Sequence, residues 1–98
     1  MRRDEVIGAL KRHEGEARAL GVLSLYLFGS TARDEAREDS DIDLFIDPDF
    51  ERLGFVELFR LEERLSQALG HFVELTTRKG LHPLMRADVE REAVKVFG

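Results

Sequence analysis

A chain of 98 residues, 43% hydrophobic and 36% charged, has the size and composition of one globular domain with a single core. Its formal net charge of −5 argues against broad nucleic-acid binding, which needs a basic footprint, and the lack of cysteine excludes disulfides and thiolate metal sites. No apolar stretch follows the N-terminal arginines and none approaches the length of a membrane span, so neither a signal peptide nor a transmembrane helix is expected, and a reducing cytoplasmic location is compatible.

Residues 4–20 place Val6, Ile7, Leu10, Ala17 and Leu20 on one stripe at 3.6 periodicity. That predicts an amphipathic helix, with Asp4 as its N-cap and Gly21 as its stop. Gly8 and Gly15 weaken it by about 1 kcal/mol each relative to alanine. His13 falls on the same stripe. Only Glu16 stands at helical spacing as a fellow ligand, so a packed or half-exposed histidine is expected rather than a metal ligand or base.

Residues 23–28 read as the first strand, with Tyr26 packed in the core. The strand runs into Gly29-Ser30. A strand ending in a small, flexible residue lets a substrate approach the backbone closely. Ser30 is placed to cap a short helix from Thr31 to Arg37, whose N-terminus attracts phosphate. Arg33 either reaches a phosphate bidentately or pairs with a nearby acid such as Glu35 or Asp39. Arg37 is read as surface.

Ten residues, 31–40, separate this turn from Asp41-Ile42-Asp43-Leu44-Phe45-Ile46-Asp47. The period-two alternation predicts a second, half-buried strand ended by Pro48. Asp41 and Asp43 share a face at roughly 7 Å between Cα atoms. Unpaired carboxylates at that distance repel each other, and Mg²⁺ held by one or two carboxylates plus phosphate oxygens removes the repulsion. Gly29-Ser30 and the Asp-x-Asp pair together suit a metal–polyphosphate pair. Asp47 is expected to close the strand or face water rather than join the metal.

Residues 53–69 form the strongest helical pattern, with Phe55, Leu58, Leu61, Leu65 and Leu69 on one stripe and Gly70 at C′. Leu53, Val56 and Phe59 lie outside the stripe. Either the loop from Pro48 to Arg52 covers them or they form an exposed patch for a partner. Residues 72–77 read as a third strand, with Phe72, Glu74 and Thr76 on one face. A lone carboxylate at Glu74 is costly unless paired or bound, or unless an edge position turns it to water. Arg78-Lys79-Gly80 is a basic turn that contacts phosphate or is plain surface. Pro83 opens a helix to about Glu92, with Met85, Val89 and Ala93 as its apolar face. Residues 93–97 end that helix or make a fourth strand, and Val94, Val96 and Phe97 favour the strand. The whole predicts one α/β domain over residues 1–98, an α+β mixed sheet of three to four strands flanked by helices.

FGSTARDEAREDSDIDL, with its flanking strands and the closing segment VELTTRKGLHPLMRADVEREAVKVF, resembles the signature of the minimal nucleotidyltransferases of the DNA polymerase beta-like superfamily. The resemblance spans nearly the whole chain and implies the polymerase beta-like nucleotidyltransferase fold. It implies that the Gly29-Ser30 turn holds nucleotide phosphates, with Arg33 as a further candidate. It also implies that Asp41 and Asp43 bind Mg²⁺, two ions in all, and that Glu74 stands for the third carboxylate, usually Asp. The family usually has Gly where this chain has Asp34. Larger relatives add a helical domain, so the acceptor is expected in trans. Relatives are commonly paired with a HEPN-type ribonuclease toxin and linked to adenylylation of a tyrosine on it from ATP. The resemblance therefore implies a Mg²⁺-dependent enzyme that transfers AMP from ATP to a partner toxin and acts as its antitoxin. A binding-only antitoxin with a degenerate site, and a small-molecule nucleotidyltransferase of the aminoglycoside-modifying kind, are the alternatives.

Overall fold

The fold was described from a computed structural model covering residues 1–98. Strands β1 (Val22–Phe28), β2 (Ile42–Pro48), β3 (Val73–Thr77) and β4 (Val94–Phe97) form one sheet in the order β3-β2-β1-β4. β1 runs antiparallel to β2 and β4, while β2 and β3 are parallel. A parallel pair needs a crossover connection, and helix α4 (Phe55–Leu69) supplies it. The expected mixed sheet forms, and the C-terminal segment is its fourth strand.

Alternation along each strand gives the sheet two unlike faces. Leu25, Leu27, Ile42, Leu44, Ile46, Val73 and Leu75 turn to one side. There they meet α1 (Arg3–Lys11), α2 (Glu14–Leu20) and α4 in a core of 19 buried residues. Leu10, Leu25, Leu27, Leu44, Ile46, Leu61 and Leu65 are fully buried there. Each contributes roughly 1.5–3 kcal/mol from burial. The other face carries Tyr26, Phe28, Asp43, Phe45, Asp47, Glu74 and Thr76. Its middle is covered by a small cluster of Phe45, Leu81 and Val89, the last from helix α5 (Pro83–Glu92). As expected, Pro83 opens α5, and Gly21 and Gly70 stop α2 and α4 in the left-handed region. Met85, expected on the apolar face of α5, is 58% exposed, and only Val89 of that helix is buried.

Several local expectations need correction. The single helix over 4–20 is two helices, broken at Arg12-His13. Between Leu10 and Ala17 no residue is buried, so nothing anchors a continuous helix across His13 and Gly15. His13 precedes α2 and lies 3.5 Å from Glu16, the half-exposed form of the packed or half-exposed histidine that was expected. Asp4 is not the N-cap of α1; Arg2 holds that place and Asp4 sits in the first turn.

The helix expected over 31–37 is a single turn, α3 (Gly29–Ala32). Asp34 adopts φ +59°, and Glu35 N–H donates to Ser30 O (2.8 Å) while Asp34 N–H donates to Thr31 O (3.0 Å). This is a Schellman stop with Asp34 at C′, the position where glycine is commonest. It supplies a backbone reason for the glycine that the family usually carries there. Ser30 lies inside the turn and does not cap it; Phe28 precedes the first helical residue.

The long helix begins at Phe55 rather than at residue 53, and Phe55 is not on the buried stripe. Phe55 is 81% exposed, Val56 60% and Phe59 67%, whereas Leu53 is buried. The loop before α4 therefore leaves these side chains uncovered, which favours the exposed-patch reading. Asp41, expected as the first residue of the second strand, precedes β2 and is exposed.

Candidate active site

The site forms where the C-terminal end of β1 meets the start of β2 and β3. Register brings its parts together. Phe28 pairs with Asp43, and Asp43 with Glu74, so Glu74, Asp43 and Phe28 lie in one row across three strands. β3 is an edge strand and Glu74 is exposed, as the water-facing reading expected; yet it flanks Asp43 on the same face. The outer donors of β3 are covered by α4: Ser66 Oγ accepts from Val73 N–H (3.0 Å) and Glu62 Oε2 accepts from Leu75 N–H (2.9 Å). These two bonds fix the edge strand that carries Glu74, and protect the edge from pairing with another chain.

Gly29 closes the row. Its φ is +75°, and a Cβ there would collide with Asp43 Oδ2. A side chain at this position would thus be both strained and blocked, which explains the glycine directly after Phe28. The Gly29 N–H donates to Glu92 Oε1 (3.3 Å) from the end of α5. Arg33 Nη1 donates to both oxygens of the same carboxylate (3.2 and 3.1 Å), and Arg33 Nε to Glu35 Oε2 (3.2 Å). The acid pairing foreseen for Arg33 is therefore present with Glu35, and Glu92 is a partner that sequence reasoning missed. No local signal marks it, since it lies 59 residues away in the chain.

The electrostatics single out Asp43. Burial pushes its carboxyl up from the ordinary 3.8 to about 6, Glu74 and Asp41 push the same way, and Arg33 opposes them. Asp43 thus sits in excess negative charge, the condition that a cation relieves. The donor set of Asp41, Asp43 and Glu74 is oxygen only, which suits Mg²⁺ rather than a softer metal. Asp43 and Glu74 are neighbours and Asp41 is close enough to act on Asp43, but no three such groups stand together as a ready-made metal cage. A Mg²⁺ ion that keeps waters and shares phosphate oxygens does not require one.

Asp34, the departure from the family pattern, turns away from this row. Its Oδ1 accepts from Arg3 N–H at the start of α1 (3.1 Å), a carboxylate capping a helix N-terminus. Asp47, on the same face of β2, is held by Arg78 Nε (2.7 Å) and Nη2 (2.9 Å) and by the Ser24 hydroxyl (2.6 Å). It closes the strand, as expected. The basic turn is thereby assigned in part: Arg78 serves Asp47, also donates to Glu90 (3.0 Å), and lies 4.9 Å from the ring centroids of Tyr26 and Phe45. Tyr26 stacks on Phe45 at 4.7 Å, in the packing role expected of it.

The family model for a nucleotidyltransferase domain matches residues 4–96. The protein adenylyltransferase MntA of Thermococcus cleftensis is 37% identical over 95 residues, covering 95% of this chain and 94% of that protein. A solved structure described as a "putative minimal nucleotidyltransferase" superposes with a TM-score of 0.83 at 33% identity, over 96% of this chain and 95% of the other. A chain of a toxin–antitoxin crystal structure with AMP-PNP shares the fold (TM-score 0.72, 20% identity, 100% of this chain and 74% of that one). So does a chain of the tri-AMPylated Shewanella oneidensis HEPN toxin in complex with MNT antitoxin (TM-score 0.71, 18% identity, 98% and 72%). The chain belongs to the nucleotidyltransferase-domain family, among the minimal nucleotidyltransferases related to the protein adenylyltransferase MntA.

Proposed function

We propose that this enzyme transfers AMP from ATP to a hydroxyl, a tyrosine in the first instance, of a partner HEPN-type toxin, and so acts as its antitoxin with Mg²⁺ as cofactor. The observation that carries the reading is the row of Glu74 and Asp43 closed by Gly29, with Arg33 beside it and a carboxyl at Asp43 kept from easy ionisation. Asp41, Asp43 and Glu74 would hold the metal, which when bound neutralises phosphate charge and polarises the reacting oxygens. Gly29, Ser30 and Arg33 bind and orient the phosphates. The acceptor oxygen attacks the α-phosphorus, the bond to the β-phosphate breaks, and pyrophosphate leaves. The hydroxyl proton passes to Glu74, which is exposed to solvent beside Asp43. Positioning and electrostatics suffice, without a covalent protein intermediate.

The test is incorporation of labelled AMP into the co-purified partner, with ATP and Mg²⁺, by wild type and Asp43→Asn. Transfer by wild type and its loss in a folded Asp43→Asn protein is the expected result. Equal transfer by both proteins would remove Asp43 from the chemistry. A second reading, an antitoxin that neutralises by binding alone, is favoured by the exposed side chains of Phe55, Val56 and Phe59. Neutralisation that survives Asp41→Asn/Asp43→Asn would support it.

A further inference from the structure

Glu92 is placed against its own local preference. It is the last residue of α5, where the helix carbonyls disfavour a negative charge. Its side chain is half-buried, 32% exposed, and belongs to neither apolar cluster. Its carboxylate instead takes the Gly29 N–H and both of its oxygens take Arg33 Nη1, all at 3.1–3.3 Å. These are the donors assigned above to nucleotide phosphate. Two oxygens of one anion, bound by a backbone N–H and a guanidinium, present the same chemistry as a phosphate.

We propose that Glu92 is a built-in competitor for the phosphate cradle: its carboxylate occupies Gly29 N–H and Arg33 until the triphosphate of the nucleotide displaces it. The inference rests on the nucleotide-site reading and adds to it a residue that sets nucleotide affinity. The two anions cannot share these donors, because a carboxylate left in place would face the phosphate oxygens at contact distance. Binding therefore requires Glu92 to swing out, which its half-buried position at the last residue of α5 permits. Arg33 then changes partner from carboxylate to phosphate without ever being left uncompensated, with Glu35 holding its Nε throughout.

A staple and a competitor predict opposite outcomes. If Glu92 only ties α5 to α3, its removal loosens the cradle and ATP binds no better. If it competes, removal strengthens binding. Calorimetric titration of wild type, Glu92→Gln and Glu92→Ala with Mg²⁺–ATP, inorganic triphosphate and adenosine separates the two, with thermal melts confirming the fold. The expected result is roughly fivefold tighter binding of ATP and of triphosphate to both variants, and no change for adenosine, which lacks the competing group. Glu92→Asp, one methylene shorter but still charged, falls between. Unchanged or weaker ATP binding by folded variants, with wild-type binding measurable, overturns the proposal and leaves the nucleotide site intact. A gain seen equally with adenosine overturns it too. If neither wild type nor variants bind ATP or triphosphate, the nucleotide-site reading falls and the proposal with it.

Discussion

Strand β2 carries two aspartates on one face, Asp43 and Asp47, separated by the fully buried Phe45. They are chemically identical and their electrostatics are opposite. Asp47 has two guanidinium donors and a hydroxyl, and the Arg78 guanidinium beside it holds its carboxyl below the usual range. Burial pushes the Asp43 carboxyl up to about 6, and Glu74 beside it and Asp41 nearby push the same way. The cause is the register, not the strand's own sequence. At Asp47 the cross-strand partner is Ser24, and the turn after β3 delivers Arg78; at Asp43 the partners are Phe28 and Glu74. A fold that compensates one carboxylate so fully, and buries the other beside like charge, marks Asp43 rather than Asp47 as the candidate for function.

That contrast is open to direct attack. The largest expected effect is on transfer of AMP to the partner. Asp43→Asn should reduce it by about a hundredfold or more, as removal of a transition-state contact does. Asp47→Asn, four residues along the strand, should leave a folded enzyme within a few-fold of wild type. Equal loss in both would mean that the two acids work as one site. Next comes stability in urea. Arg78→Met strands Asp47 and removes the guanidinium from beside two aromatic rings, and should cost about 2 kcal/mol. A cost near zero would show that Asp47 is as weakly held as Asp43.

The third test uses pH. Folded Asp43 binds its proton more tightly than unfolded Asp43 does. Its contribution to stability is therefore fully present below the ordinary value of 3.8, and is lost as pH rises through about 6. Asp43→Asn should match wild type at low pH and be more stable by on the order of 1 kcal/mol at pH 7.5, a figure discounted for the solvent that still reaches the group. Asp47 runs the other way. Its stabilisation is present above 3.8 and lost as pH falls through its lowered value, so Asp47→Asn should cost stability at pH 7.5 and little in acid. Parallel pH profiles for the two variants would erase the distinction.

Much of this was legible beforehand, for a physical reason. A period of two over Asp41–Asp47 and of 3.6 over Leu58–Leu69 are local signals; Asp43 sits inside the first, and Gly29 is marked by the Gly-Ser that follows the apolar run over 23–28. The pairings that give those residues their character are not local. Glu92 reaches Arg33 across 59 positions, and Arg78 reaches Asp47 across 31. Nothing in an Arg-Lys-Gly turn says that its arginine lies beside a tyrosine and a phenylalanine. The misjudged helix after Ser30 has a different origin. Asp34 enters the left-handed region that glycine usually takes, and an aspartate in a helical run of Thr-Ala-Arg-Asp-Glu-Ala-Arg gives no warning of it. The break at His13 arises from what the run lacks, a large buried side chain between Leu10 and Ala17.

The smallest effect tests the outermost member of the row. Glu74 sits on an exposed edge strand, and only its register places it beside Asp43. If its carboxylate faces Asp43, Glu74→Gln removes one of the like charges that raise the Asp43 carboxyl. A carbon-13 titration of Asp43 should then show its midpoint move down from about 6 toward 3.8 without arriving there, because burial is the larger cause and is unchanged. A midpoint that does not move would mean that Glu74 turns to solvent, and the third carboxylate of the proposed site would have to be sought elsewhere. A midpoint that falls all the way to the ordinary value would mean that charge, not burial, governs Asp43. In that case a cation at the site would owe its affinity to the Asp43–Glu74 pair rather than to Asp43 alone, and Glu74→Gln should weaken Mg²⁺-dependent ATP binding as severely as Asp43→Asn does.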